Sequence, residues 1–351
     1  MSKTVLITGV TGMDGSYLAK MYHESGWRVV GGVRRASTNN LGRLKALGVE
    51  RQIDYVPLEL LEYENVKYAL KHIRPDLILN MAAQSFVKLS FEQPLFTADA
   101  TALGPLRILE AMRDLGMTDI PLYQASSSEE FGEVRETPQT ELTPLNPMSP
   151  YACAKVFAHH VCMNYAKAYH MPIICGILFN HEGELRAREF VTRKISYGLA
   201  AIERGLQTEL VMGNLDSKRD WGYSRDYCEA IQRMMSLTSD HGEEYVIATN
   251  TTHSVREFIE LAFLQIFGVP IEWSGLAAQE VGRHPDGRVI VRVSPHFYRP
   301  SEVNILVGDY TKAKTMLGWS PTTTFPELVA LMVDADLKVT QQEKEGHFCG
   351  Y

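Results

Sequence analysis

Cysteine is scarce in this 351-residue chain, with only five (Cys153, Cys162, Cys175, Cys228, Cys349). An odd number with no CxxC pair speaks against a disulfide framework and against a zinc site, and it suits a reducing cytoplasm. No metal site is expected. Positive charge is also in deficit: 35 Lys and Arg stand against 42 Asp and Glu, a net charge of −7. A mildly acidic chain is a poor nucleic-acid or anionic-membrane binder, so neither is expected as a partner. A phosphate-bearing ligand would have to be held by local basic clusters. No apolar run approaches the roughly 18 residues that span a bilayer. The opening Met1–Gly9 lacks the apolar core and cleavage site of a signal peptide, so none is expected. There is no internal repeat and no low-complexity tract.

What is present is ordinary globular usage, 45% hydrophobic and 22% charged, at a length that suits one large α/β unit or about two domains. Strand-like segments at Lys3–Thr8, Arg28–Val33, Ile53–Leu58, Leu77–Ala82 and Pro121–Ala125 alternate with helical patterns. The helices are read over Gly15–Ser25, a short stretch ending at Gly48, Tyr63–Ile73 and one long Leu95–Leu115. This alternation predicts an α/β fold with a doubly wound (Rossmann) parallel sheet. Beyond Phe179 the pattern loosens, with strands at Glu209–Met212 and Tyr245–Ala248 and helices at Tyr227–Leu237, Val255–Ile266 and Phe325–Leu337. Gly275–Gly287 reads as an exposed connection. Residues 1–179 are therefore taken as a cofactor domain and 180–351 mainly as a smaller substrate-binding domain. Elements within about 213–250 and 304–317 are candidates to return to the first.

Three patterns carry chemistry. First, Gly9, Gly12 and Gly15 follow the first strand and open the first helix. Glycine permits the tight turn and the close approach of backbone N–H groups to a pyrophosphate. The GxxGxxG spacing is similar to that of the extended short-chain dehydrogenase/reductase superfamily. Second, the second strand ends in Arg34-Arg35-Ala36-Ser37, where an acidic residue would hold a ribose 2′-hydroxyl. Guanidinium groups there suit a 2′-phosphate and predict NADP over NAD. Third, Tyr151 and Lys155 lie one helical turn apart, so the ammonium can favour the phenolate. The YxxxK spacing recurs at Tyr63/Lys67 and Tyr310/Lys314, so context must choose. Ser149-Pro150, an N-cap serine and a proline at the first helical position, selects the second copy. Ser127 at the carboxyl end of the fifth strand can relay a proton to that tyrosine. Glu129 beside it is more than hydride transfer needs and points to proton abstraction from carbon. The neighbouring Glu130 is expected to be a salt-bridged surface residue.

These residues resemble the GDP-mannose 4,6-dehydratase family over nearly the whole chain. The resemblance is carried by LITGVTGMDGSYLA (6–19), AAQSFVKLSF (82–91), QASSSE (124–129), SPYACAK (149–155), GILFNHE (176–182), FVTRKIS (190–196), GNLDSKRDWG (213–222) and YRPSEV (298–303). It implies an internal redox dehydration of a GDP-sugar. Hydride leaves sugar C4 for NADP and returns to C6, Tyr151 with Ser127 takes the O4 proton, Glu129 takes the C5 proton, and water leaves from C6.

The resemblance further implies cofactor contacts from Gly9, Val10, Thr11, Gly12, Met13, Asp14, Arg34, Arg35, Ala36, Ser37, Glu59, Leu60, Met81, Ala82, Ala83, Gln84, Ser85, Tyr151, Lys155, His181 and Arg186. Substrate contacts are implied for Ser85, Ser127, Glu129, Asn180, Val191, Lys194, Leu215, Lys218, Arg219, Arg299 and Glu302. The chain departs from the family pattern in several places. Ser127 replaces a threonine, Glu59 an aspartate, Ala82 a glycine and Phe96 a tyrosine. Residues 183–189 replace a loop that in the family joins subunits, so a homodimer and a homotetramer are both open. Two related activities compete: dehydration of a modified GDP-sugar such as a heptose, and reduction of a GDP-4-keto-6-deoxy sugar. A non-catalytic NADP sensor is disfavoured by the intact Ser127, Tyr151 and Lys155.

Overall fold

The computed structural model describes residues 2–37, 40–237, 242–297 and 306–347. Its elements, in chain order, are β1 (Thr4–Thr8), α1 (Met13–Glu24), β2 (Arg28–Val33), α2 (Gly42–Ala46), β3 (Asp54–Pro57), α3 (Tyr63–Ile73), β4 (Leu77–Asn80), α4 (Val87–Glu92) and α5 (Pro94–Thr97). A π-helical turn (Ala98–Leu103) leads into α6 (Gly104–Asp114), β5 (Leu122–Ala125), a 3-10 turn (Ser128–Glu130), α7 (Pro150–Tyr169), β6 (Ile173–Leu178) and β7 (His181–Glu182). The remainder runs α8 (Val191–Glu203), β8 (Leu210–Met212), β9 (Lys218–Arg219), β10 (Gly222–Tyr223), α9 (Ser224–Ser236), β11 (Glu243–Ile247), β12 (His253–Ser254) and α10 (Val255–Phe267). It closes with β13 (Glu272–Ser274), β14 (Val281–Arg283), β15 (Val289–Val293), α11 (Thr311–Leu317) and α12 (Phe325–Lys344).

Seven strands form one sheet in the order β11-β6-β5-β4-β1-β2-β3. Every pair in it is parallel. The strands are apolar runs with both faces covered, as a parallel sheet requires. One face packs on α1 and α9 through Tyr17, Leu18, Tyr22, Tyr227, Ile231 and Met234. The opposite face packs on α3, α6 and α7 through Val66, Leu70, Ile108, Met112, Cys162 and Ala166. The strand order reverses between β1 and β4, which opens a crevice at their carboxyl ends.

A separate apolar core joins α8, α10 and α12 to β8 and β15 through Leu199, Leu210, Phe258, Phe263, Val291 and Met332. Its four-stranded sheet has the order β13-β14-β15-β8. A fully buried ion pair, Arg193 on α8 with Asp336 on α12 at 2.8 Å, locks two of these helices together.

Two expectations are corrected here. The helix over Leu95–Leu115 is interrupted, because Pro105 lacks the N–H that would bond the Thr101 carbonyl, and the chain widens into the π turn before it. Gly275–Gly287 is not a plain connection. It contains a 3-10 turn (Ala277–Gln279) and β14, which pairs with β13 and β15 at the centre of the second sheet. The short, glycine-flanked Val281–Arg283 carries too little alternation to register as a strand. Among the described residues no helix is long and apolar enough to cross a membrane.

Candidate active site

The crevice is built from the loops that leave β1, β4, β5 and β6. After β1, Gly9 adopts a left-handed φ of +64°, and a Cβ there would meet the Ala82 backbone at 2.9 Å. A Cβ on Gly15 would meet the Gly9 carbonyl oxygen at 2.3 Å. The tight loop and its contact with the β4 loop therefore both demand glycine. Among the described residues no side chain caps α1 at Gly12, which leaves its first N–H groups available to an anion.

The ends of β1, β4 and β5 are pinned by a buried polar ladder. Thr8 donates to Asn80 Oδ1 at 2.6 Å, Asn80 Nδ2 to Gln124 Oε1 at 2.7 Å, and Gln124 Nε2 to the Ala125 carbonyl at 2.9 Å. Lys155 Nζ donates to the same carbonyl at 2.7 Å. The glycine loop is thus coupled to Lys155 across three strands. Sequence reasoning passed over Asn80 and Gln124. Their signal is a polar residue inside or ending an otherwise apolar strand.

The Tyr151–Lys155 helix starts as its sequence predicts: Ser149 Oγ accepts from Ala152 N at 3.1 Å, and Pro150 is the first helical residue. Both side chains are buried, with Lys155 Nζ 5.8 Å from the Tyr151 ring centre. Burial pushes the Tyr151 phenol up, while the hydrogen bond with Ser127 and the Arg186 charge pull it down. Burial pushes Lys155 down to about 8. The other two YxxxK pairs have other roles. Tyr63 and Lys67 both bind Asp114 at the surface, at 2.5 and 2.8 Å. Tyr310 is the N-cap of the short α11 and Lys314 lies in its last turn.

Ser127 caps the 3-10 turn, its Oγ accepting from Glu129 N at 3.3 Å. Glu129 is half-buried. Glu130 is not the surface residue expected. It is fully buried, accepts from Ser127 N at 3.2 Å and meets His159 Nδ1 at 2.9 Å. The capping box explains the difference: the third residue of the turn must fold its carboxylate back on the cap.

Asp14 in the first turn of α1 faces His181 Nε2 at 2.9 Å and accepts from Ser224 Oγ at 2.6 Å. His181 Nδ1 also meets the Phe179 carbonyl at 2.7 Å. Burial opposes charge on both groups. Their mutual attraction overrides it, so Asp14 is held down and His181 up. An acidic side chain beside an anion cradle is thereby neutralised. Arg186 pairs with Glu182 at 3.0 Å and lies 3.5 Å over the Phe190 ring. Arg43 joins two loops of the site, donating to the Thr11 carbonyl at 3.0 Å and the Leu185 carbonyl at 2.6 Å. Nothing local in the sequence marks it.

Other expected residues take varied positions. Arg34, Arg35, Ala36 and Ser37 are exposed at the end of β2. Glu59 Oε1 after β3 is buried with no hydrogen-bond partner among the described residues, and Leu60 is packed under Gly104. Met81, Ala82 and Ala83 line the β4 loop. The Gln84 side chain turns inward to Thr97 and Phe86 and braces that loop, while Ser85 is exposed. Asn180 Oδ1 is buried without a hydrogen-bond partner among the described residues. Val191 opens α8, and Lys194 donates to the Val211 carbonyl at 2.6 Å. Leu215 is buried in the second core. Lys218 is exposed and Arg219 buried on β9. Arg299 and Glu302 lie outside the described residues. A glycine cradle that a Cβ would fill, an uncapped helix start and an unpartnered Glu59 oxygen fit a nicotinamide dinucleotide.

Comparison with known proteins agrees with this geometry. The family model described as GDP-mannose 4,6 dehydratase matches residues 6–332. A GDP-mannose 4,6-dehydratase of Vibrio cholerae is 44% identical, over 97% of this chain and 96% of that protein. A GDP-mannose 4,6 dehydratase of Homo sapiens is 45% identical, over 95% of this chain and 91% of that one. Among solved structures, the dTDP-glucose 4,6-dehydratase of Bacillus anthracis in complex with NAD superposes with a TM-score of 0.78. It is 22% identical and covers 97% of this chain and 98% of its own.

Proposed function

The chain belongs to the GDP-mannose 4,6-dehydratase family, and on that premise we propose that it converts GDP-mannose to GDP-4-keto-6-deoxymannose with loss of water. The observation that carries this reading is the pairing, in one crevice, of a Ser127–Tyr151–Lys155 set with the additional carboxylate of Glu129. Tyr151 takes the proton from O4 as C4 is oxidised, and the Ser127 hydroxyl holds that phenol in line. Buried Lys155 favours the phenolate when charged. The resulting C4 ketone acidifies the C5 proton, which Glu129 removes before water leaves C6. NADP, held by the glycine loop after β1, would supply the hydride acceptor for C4 and the hydride donor for C6.

NADP, rather than NAD, is supported by Arg34 and Arg35, which are exposed and make no ion pair among the described residues. They are free to fork onto a 2′-phosphate. Gly9–Asp14, Glu59–Leu60, Met81–Ser85, His181 and Arg186 are assigned to the cofactor. Asn180, Val191, Lys194, Leu215, Lys218, Arg219, Arg299 and Glu302 are assigned to the GDP-sugar. The division at residue 179 into cofactor and substrate units is supported by the two separate cores, with α9, β11 and α11 rejoining the first. A homodimer or homotetramer is supported by exposed Phe91, Leu95, Leu103 and Phe157 on adjoining segments. A cytoplasmic setting fits the four unpaired cysteines among the described residues.

The test is to incubate purified protein and NADP with GDP-mannose and identify the product by mass and NMR. A 4-keto-6-deoxy sugar nucleotide is expected. No reaction with GDP-mannose, together with reduction of a 4-keto sugar nucleotide, would contradict the reading.

A further inference from the structure

Behind the catalytic residues lies a charged network that the mechanism above does not use. His159 sits on α7 one turn beyond Lys155 and two turns beyond Tyr151, on the same helix face. Its Nδ1 meets Glu130 Oε2 at 2.9 Å and its Nε2 meets Glu244 Oε2 at 2.6 Å. With a carboxylate oxygen on each ring nitrogen, both nitrogens carry protons and the ring is an imidazolium. Glu130 is fully buried and Glu244 is 28% exposed at the start of β11. The other Glu130 oxygen accepts from Ser126 Oγ and from Ser127 N.

One buried cation therefore ties three elements together. These are the helix that carries Tyr151 and Lys155, the turn that carries Ser127 and Glu129, and the edge strand of the sheet. Such a network is weak evidence for stability, because apolar side chains would fill the same space without the cost of desolvating charges. What it supplies is a fixed relation between elements. We propose that Glu130, His159 and Glu244 form a positioning clamp that holds the α7 face bearing Tyr151 and Lys155 in register with the turn bearing Ser127 and Glu129. The clamp rests on the dehydratase reading for its activity assay alone.

The clamp is also electrostatic. The Glu130 carboxylate acts on Tyr151 and on Lys155, and raises both. Its loss must lower the pH at which the phenol gives up its proton. His159 is faced by Glu130 from the turn, Glu244 from β11 and Cys175 from β6, with Lys155, His160 and Cys162 on its own helix. Glu244 in turn lies near Glu141, Lys167 and Lys312, whose Nζ donates to the Glu244 carbonyl at 2.9 Å.

The experiment compares wild type, Glu130→Gln and the double variant Glu130→Gln/His159→Gln, each with NADP. The double variant replaces the charged pair by two amides that can bond each other, which separates positioning from folding. In Glu130→Gln, kcat on GDP-mannose should fall on the order of 10- to 100-fold, with KM little changed and the rising limb of the pH profile displaced to lower pH. The double variant should melt closer to wild type and stay slow. Wild-type kcat and an unmoved limb in both variants, with only the melting temperature lowered, would overturn the clamp. If the wild type does not dehydrate GDP-mannose, the dehydratase reading fails instead. The clamp is then decided without substrate, by NMR of isotope-labelled tyrosine with Tyr151 assigned through Tyr151→Phe. The Tyr151 signal moves in Glu130→Gln if the clamp acts on it, and an unmoved signal overturns the proposal.

Discussion

On the proposed mechanism Tyr151 and Glu129 divide the labour of the reaction, and their variants should fail differently. Tyr151→Phe removes the base for C4 oxidation and should stop both product formation and any transient rise in reduced nicotinamide absorbance. Glu129→Gln should leave that rise and slow turnover by about 10²–10⁴-fold. Exchange of the C5 hydrogen with deuterated water, read by NMR, should slow in parallel. Exchange at the wild-type rate would remove Glu129 as the base. Arg35→Asp should weaken NADP far more than NAD in a binding titration, since the 2′-phosphate meets a like charge. Equal losses for both would reduce the arginine pair to a solvated loop. His159 carries a pH signature. Its pKa is raised to about 11, because its bonds to Glu130 and Glu244 outweigh the burial that opposes charge. That contribution to stability is complete below the ordinary imidazole value of about 6.5 and is lost as pH rises toward about 11. Denaturation midpoints across that window should fall less steeply in His159→Gln than in wild type. The start of the Tyr151–Lys155 helix was legible because Ser149-Pro150 is a local signal. Glu130 was misread because its carboxylate folds back on the Ser127 cap and is completed by His159, 29 residues away in sequence.

At the scale of elements, the local chemistry of the glycine loop and of α7 was visible, since caps, prolines and glycines act within a few residues. The interruption of Leu95–Leu115 was carried by Pro105, whose consequence depends on the loop around Gln84 packing against Thr97 and Thr101. The β14 strand escaped because a short strand is defined by its partners and not by its own alternation. The α8–α12 pair offers a test of element packing. Arg193→Met leaves Asp336 buried without its partner and should destabilise by about 3–5 kcal/mol in denaturant unfolding. Arg193→Met/Asp336→Leu should recover most of that loss. Equal losses in the single and double variants would show that the pair is not what joins the helices. Arg193 also donates to the Arg186 carbonyl at 2.7 Å, so the single variant should loosen NADP binding as well.

For the whole molecule, the alternation of strands and helices in the first half was enough to give the parallel sheet. The stretch 213–250 was named as a candidate to return, and β11 within it does pair with β6 at the edge of that sheet, but which strand it joins is a long-range pairing that the alternation does not specify. The acidic net charge leaves local placement to hold a GDP-sugar: of the basic residues proposed for it, Lys194 lies on α8 and Lys218 and Arg219 on β9. The central claim is that oxidation at C4 and reduction at C6 occur on one sugar within one turnover. GDP-mannose deuterated at C4 tests it directly. The account predicts a 4-keto-6-deoxy product with the deuterium at C6 of the same molecule, and none accumulating in the cofactor pool. Deuterium collecting in reduced nicotinamide, in proportion to substrate consumed, would contradict it and make the protein a dehydrogenase.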